Sequence, residues 1–306
     1  MGSILRPSAL HFLDTVDRIQ SMLSKAQTEV SSGLAVTNAS DAPDQVGEIL
    51  QLHANIAQNT AIQTNLKAEQ GKAQTADQGL QSAGNLLNQI ATLASEGLAL
   101  GATAATRQSL GQQVSSILQQ VVSVANTSVD GQYLFSGDKD QTPSYQYDAT
   151  TGAATRLQVT TATRQVQDGS GGSFAAGLTA NRIFDARDAS DTPIDGQNVF
   201  KAISDVVSAL NGNSTSALQT ALANVSGASS YLNQQQTFYG TVENNVTAAL
   251  STTSNLSVSL QQDLSNREDA NQAQSILEMQ QYTTSLQAAL AAEAKMPRTT
   301  LFDLLP

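Results

Sequence analysis

The sequence predicts a mainly α fold: both chain ends pair as a long antiparallel helical bundle or coiled coil, and a small β-rich segment sits in the middle. Three observations predict it. Apolar residues recur at alternating spacings of four and three near both termini. The composition is 40% hydrophobic but only 13% charged, with little aromatic bulk, which suits helices packed closely side by side. Seven of the thirteen aromatics fall between Tyr133 and Phe200, where turn residues and period-two runs replace the helical spacing.

The first helix carries Leu5, Ala9, Phe12, Val16, Ile19, Leu23, Ala26 and Val30 on one face. Gly33 follows, a residue that readily takes the left-handed conformation ending many helices. The stretch "SSGLAVTNASDAPDQVGEIL", residues 31–50, then reads as stop, turn and restart. Ser40 and Asp41 favour a turn, Asp41 is the expected N-cap, and Pro43 is tolerated in a first helical turn. The restarted helix is expected over about 42–100, an extent of about 85 Å at 1.5 Å per residue. Leu110, Val114, Ile117, Val121 and Val124 mark a third helix ending near Asp130-Gly131.

Residues 131–197 read as short strands with a core of their own. "GQYLFSG", "SYQYDATTG", "TRLQVTTATRQVQ" and "GSGGSF" supply the β-branched, aromatic and glycine residues that strands and hairpins use. Helical spacing returns over 198–225, broken at Asn211-Gly212-Asn213, and a last long run begins near Phe238. Val242, Val246, Ala249, Leu256 and Leu260 carry it first. Ile276, Met279, Thr283, Leu286 and Leu290 carry it next, and Pro297 ends it. Each terminal stripe lacks a sequence neighbour to cover it, so the two pair with one another and with copies of the chain.

Composition excludes several functions. A net charge of −11 with scattered Lys and Arg argues against nucleic acid. No window reaches the ~18 apolar residues of a membrane span. The start lacks the basic and apolar regions of a cleavable signal peptide. With no cysteine there is neither disulfide nor thiolate chemistry. His11 and His53 stand apart without metal-ligand spacing. Asp138-Lys139-Asp140 lacks the later oxygen ligand and glycine of a calcium loop. Gly169-Ser170-Gly171-Gly172 lacks the Gly-Lys-Ser/Thr of a phosphate loop and reads as a hairpin tip. Glu268-Asp269 reads as a solvated or intersubunit helix face. No catalytic residue, metal site or cofactor is expected, and the chain is read as a non-enzyme.

The two ends, "PSALHFLDTVDRIQSMLSKAQTEVSSGLAVTNASDAPDQVGEI" and "DLSNREDANQAQSILEMQQYTTSLQAALAAEAKMPRTTLFDLLP", resemble the bacterial flagellin superfamily. Its turn is matched by Ser32-Gly33, Val36 and Ser40-Asp41-Ala42-Pro43. "DGQYLFSGDKDQTPSYQYD" and the Ser-Asp-Ala-Pro turn resemble the hook-associated, hook–filament junction branch more than filament flagellin.

The resemblance implies an extracellular structural subunit of the flagellum, exported without a cleavable signal. Its partners would be copies of itself, the neighbouring hook-associated protein and flagellin, the flagellar type III export apparatus and a chaperone binding the C-terminus. It implies an inner coiled-coil layer of 1–41 with 264–306, a helical rod of 42–130 with 198–263, and an outer β-rich domain of 131–197. Leu5, Phe12, Val16, Ile19, Leu23, Val30, Ile276, Met279, Leu286 and Leu290 would form the assembly stripe, and Gly33, Ser40, Asp41 and Pro43 the hinge between layers. Filament flagellin, or a cytoplasmic coiled-coil signalling rod of the chemoreceptor kind, are the alternatives; a plain connecting loop is the alternative to the hinge. Helices with so many Ala, Ser and Thr seam positions are marginal alone, so the terminal helices are expected to order on assembly.

Overall fold

The structure, a computed structural model, describes residues 7–295. Leu5 of the expected stripe and the helix stop at Pro297 lie outside those residues. Helix α1 (Pro7–Ser32) ends as expected at Gly33, whose φ is +76° and whose N–H donates to Glu29 O at 2.8 Å. Helix α2 (Val46–Leu98) starts four residues later than expected. Its first turn is set by Ala42 O, which accepts from Gln45 N and Val46 N. Asp41 is not the N-cap, because its carboxylate turns back to accept from Thr37 N and Asn38 N.

Helix α3 (Ala104–Ala125) is capped by Thr103, whose hydroxyl accepts from Thr106 N at 3.1 Å. It stops five residues short of Asp130-Gly131. Those two residues, both at positive φ (52° and 77°), instead turn the hairpin of β1 (Ser128–Val129) and β2 (Gln132–Tyr133). Asp-Gly supplies the left-handed pair that a tight two-residue hairpin demands. Asn126 ends α3 by bridging outward: its amide donates to Tyr145 O and its oxygen accepts from Ser144 N and Tyr145 N.

Three further antiparallel hairpins follow. They are β3 (Tyr145–Asp148) with β4 (Ala153–Arg156), β5 (Gln165–Gln167) with β6 (Ser173–Ala175), and β7 (Asp185–Arg187) with β8 (Pro193–Asn198). The run 157–164, expected as strand, pairs with none, and a short helix α4 (Ala180–Phe184) was not foreseen. Helix α5 (Val199–Asn211) starts at Asn198, whose side chain accepts from Lys201 N at 2.9 Å. The break at 211–213 is present, but α6 (Thr215–Glu268) then runs without interruption, so no separate helix begins near Phe238. Helix α7 (Gln272–Lys295) closes the described chain.

The chain forms two compact units that divide within α2, after residue 58, and within α6, after residue 256. The larger, 59–256, holds one continuous apolar core. Leu80, Leu87, Ile90 and Ala94 of α2, Val114, Leu118 and Val121 of α3, Ile203, Val206 and Leu210 of α5, and Leu218, Val225 and Leu232 of α6 are buried there. The strand segment has no separate core. Phe135, Tyr145, Phe184 and Phe200 join the same cluster, Phe135 meeting Phe184 edge-on at 5.8 Å and Tyr239 of α6 at 6.2 Å. Two-residue to six-residue strands bury too little side chain to stand alone, so they use the helices as their floor. Burial pushes the Tyr239 phenol up to about 12; its oxygen accepts from Leu178 N at 3.1 Å.

A buried carboxylate ties the hairpins together. Asp185, on β7, accepts from Arg156 Nε at 2.8 Å, Tyr145 Oη at 3.0 Å, Arg187 Nε at 2.9 Å and Asn198 Nδ2 at 2.6 Å. Burial, reinforced by the Asp185 charge, raises the Tyr145 phenol far above its ordinary value.

Candidate assembly surface and paired helix breaks

In the smaller unit, α1 and α7 run antiparallel, with Ser275 Oγ near the start of α7 donating to Glu29 Oε2 near the end of α1 at 2.9 Å. On α1 the seam is the expected one. Val16 and Ala26 are buried, and Phe12, Ile19, Leu23 and Val30 are half-buried. On α7 the seam is turned. Ser275 is buried, and Met279, Tyr282, Leu286 and Ala289 are half-buried, again at four-three spacing.

Ile276 and Leu290, expected on a stripe covered by α1 and by copies of the chain, are 40% and 52% exposed within one chain, and Leu277 is 66% exposed. Only Met279 and Leu286 of the four named α7 residues face α1. The seam runs through Ser275, Met279, Tyr282, Leu286 and Ala289, large and small side chains alike, and lies one position round from the expected stripe at its two ends. The outcome is a second apolar line, Ile276, Thr283 and Leu290 at seven-residue intervals. On α1, Leu10, Leu13 and Met22 are likewise exposed, at 52%, 48% and 40%.

The breaks that end these helices lie side by side. Gly33 O accepts from Ala270 N at 2.9 Å, Glu268 O accepts from Ala35 N at 2.7 Å, and Leu34 bridges Asp269 antiparallel. The 33–45 turn is therefore held by the 268–270 turn through main-chain bonds. Sequence reading found the first break and missed the second, because Glu268-Asp269 was read as a helix face. The missed signal is Asn271, a capping residue whose Oδ1 accepts from Gln274 N at 3.3 Å.

Glu268 is also not an unpartnered carboxylate. His53 Nε2 lies 3.2 Å from its Oε2, and the preceding Arg267 pairs with Glu48. Thus the start of α2 and the end of α6 are joined by two polar pairs of opposite sense beside the main-chain bonds. Ser40 and Pro43, also expected in the hinge, are exposed and form no part of that bonding.

Asp41 latches the turn from within. The amides of Asn38 and Thr37, with the Thr37 hydroxyl, hold its carboxyl below the usual carboxylate range. A depressed carboxylate contributes stability that is complete above the unfolded value and disappears as pH falls through the folded one. The latch is therefore expected to hold at neutral pH and weaken only below about pH 4. Following the Thr37 and Asn38 amide shifts from pH 7 to 2 checks this; in Asp41→Ala the acid transition of those amides is expected to be absent.

Among the described residues no group of three or more His, Asp or Glu is placed to hold a metal ion, and no helix is long and apolar enough to cross a membrane. His11 is exposed on α1, distant in sequence from His53 on α2.

Comparison with known proteins adds a family to this geometry. Residues 7–140, from α1 through α2 and α3 into the first hairpin, match the family described as the bacterial flagellin N-terminal helical region. No curated protein matches the chain in sequence.

Solved structures share the fold. A protein described as a flagellar hook-associated protein, from Vibrio parahaemolyticus, is 18% identical; the match covers 75% of this chain and 100% of that one, with a TM-score of 0.64. Bacillus cereus FlgL is 20% identical, with 72% and 100% covered and a TM-score of 0.55. The flagellar junction protein FlgL of Legionella pneumophila is 14% identical, with 66% and 100% covered and a TM-score of 0.55.

Proposed function

We propose that this flagellin-type chain is a structural subunit of the bacterial flagellum that joins hook to filament by helical self-assembly of its terminal helices, and that it is not an enzyme. The observation that carries this reading is the outward apolar line of α7, Ile276 to Leu290, with its counterpart Leu10 and Leu13 on α1. Within one chain the α1–α7 seam fully buries only Val16, Ala26 and Ser275 among the described side chains. A seam this thin does little to offset the entropy of ordering two helices. Copies of the chain packed on the outer line would add the missing burial. Residues 1–41 with 264–306 then form the inner layer, 42–130 with 198–263 the rod and 131–197 the outer segment.

The same reading places the chain outside the cell. It is exported by the flagellar type III apparatus, with a chaperone on its C-terminus, and seated between a neighbouring hook-associated protein and flagellin. The paired breaks at 33–45 and 268–270 serve as the hinge between layers, bending together because they share main-chain bonds.

Sedimentation, circular dichroism and negative-stain microscopy of the full chain across a concentration series test the proposal. Helicity is expected to rise with assembly, and ordered polymer to form only when hook ends are supplied. Long filaments without hook would favour filament flagellin, the runner-up, which the flagellin match supports. A fully helical monomer indifferent to concentration and to hook would overturn both.

A further inference from the structure

We propose that residues 143–202 are three tandem copies of one 20-residue hairpin unit, and that the tips of these units are interchangeable. Four observations agree on the period. Asp148, Asp168 and Asp188 stand 20 residues apart, Asp148 as the last residue of the first strand of its hairpin and the other two directly after theirs. A hydroxyl residue follows two positions later in every unit: Thr150, Ser170 and Ser190.

The bonding repeats as well. Asp168 Oδ1 accepts from Ser170 N and Gly172 N, and Asp188 Oδ1 from Ser190 N and Thr192 N. In the first unit Asp148 Oδ1 accepts from Thr150 N and Thr151 N. The main chain closes identically in the second and third units, Asp168 N to Gly172 O and Asp188 N to Thr192 O, each at 2.9 Å.

Register and backbone carry the same offset. Gln167 faces Ser173 and Arg187 faces Pro193, a shift of 20 on both strands. The left-handed residues shift with them, Gly171 at φ 91° and Asp191 at φ 59°. The first hairpin has one residue of slippage, Asp148 facing Ala153, and its left-handed residue, Gly152, moves one place with it. Such agreement is what one local design used three times produces: an aspartate that binds the amides of its own turn, and a position that only glycine or a short polar residue fills cheaply.

The three tips differ in what surrounds them. The second is seated on α6, where a Cβ at Gly169 would collide with Thr253 Cγ2. The third is tied by Asp191 to Arg156 and Arg187. The first, Ala149 to Thr151, is exposed. The unit therefore specifies the turn, and its neighbours specify what each turn touches.

Amide exchange on the full-length chain tests this. Asp168→Ala is expected to speed exchange at Ser170 and Gly172, and Asp188→Ala at Ser190 and Thr192, by about three- to tenfold in each case, the worth of one net hydrogen bond. Asp148→Ala should act likewise at Thr150 and Thr151. The triple variant Ala189→Gly, Asp191→Gly, Thr192→Gly gives the third tip the sequence of the second, and protection of the β7–β8 pairing is expected to persist. Loss of that pairing in the triple variant, or an effect at one aspartate with none at the others, would overturn the repeat.

Discussion

Asp185→Ala is expected to cost about 3–5 kcal/mol of folding stability, the range for removing one partner of a buried ion pair. The side chain of Asp185 is 3% exposed and that of Arg156 17%, so neither partner has ready access to water. Removing the carboxylate leaves the Tyr145 hydroxyl without its acceptor and takes from the Arg156 and Arg187 guanidiniums their buried counter-charge, exposed Asp191 being what remains to them, while the Asn198 amide keeps Ala186 O. Stranding buried donors is what makes such a deletion expensive, more than the net worth of the bonds lost.

Two companion variants separate this account from a general sensitivity of the segment. Tyr145→Phe removes one hydrogen bond and keeps the ring, and is expected to cost about 1 kcal/mol. Asp191→Ala removes a carboxylate that is 71% exposed, and is expected to stay within about 0.5–1 kcal/mol. Urea denaturation of the three variants checks the order. Equal losses at Asp185 and Asp191 would show that burial is not what gives the network its weight.

The helices were legible because their signals are periodic and long. Phe12 to Val30 on α1 lies where the four-three spacing puts it, and Gly33 ends the helix as glycine does. On α7 the same logic placed Met279 and Leu286 toward α1 but not Ile276 and Leu290, the two ends of the stripe. A stripe chosen by bulk passes through Ile276 and Leu290, whereas the face toward α1 passes through Ser275 and Ala289, with Met279, Tyr282 and Leu286 between them. The two lines share Met279 and Leu286, and spacing alone does not choose between their ends.

Turns were harder where one signal has two uses. Asp130-Gly131 suits a helix end and a hairpin corner equally, and the hairpin claimed it. Asp41 has the chemistry of an N-cap, but its carboxylate was taken by the amides behind it. The pairing of the 33–45 and 268–270 breaks joins residues more than 230 positions apart through main-chain groups, which every residue possesses; no side-chain pattern could announce it. The buried Asp185 hub was invisible for a related reason, since its partners come from four separate elements.

Charge placed on the outer line of α7 is expected to abolish assembly while leaving the monomer intact. Ile276→Asp and Leu290→Asp alter side chains that are 40% and 52% exposed within one chain, so each should change monomer stability by only about 0.5 kcal/mol. In an assembly that covers this line, each aspartate becomes a buried, unpaired carboxylate, costing about 3 kcal/mol or more per contact. At about 1.4 kcal/mol per tenfold, that is roughly a 100-fold rise in the concentration needed to assemble. Met279→Ala and Leu286→Ala form the contrast, because these side chains face α1 and their loss should weaken the terminal pair itself. Sedimentation then distinguishes the two faces of one helix. Aspartate at 276 and 290 should leave a folded chain that does not associate, whereas alanine at 279 and 286 should lower helicity before association begins. Should the aspartate variants assemble at the wild-type concentration, the outer line is not a contact between copies, and the covering of α7 must be sought on another face.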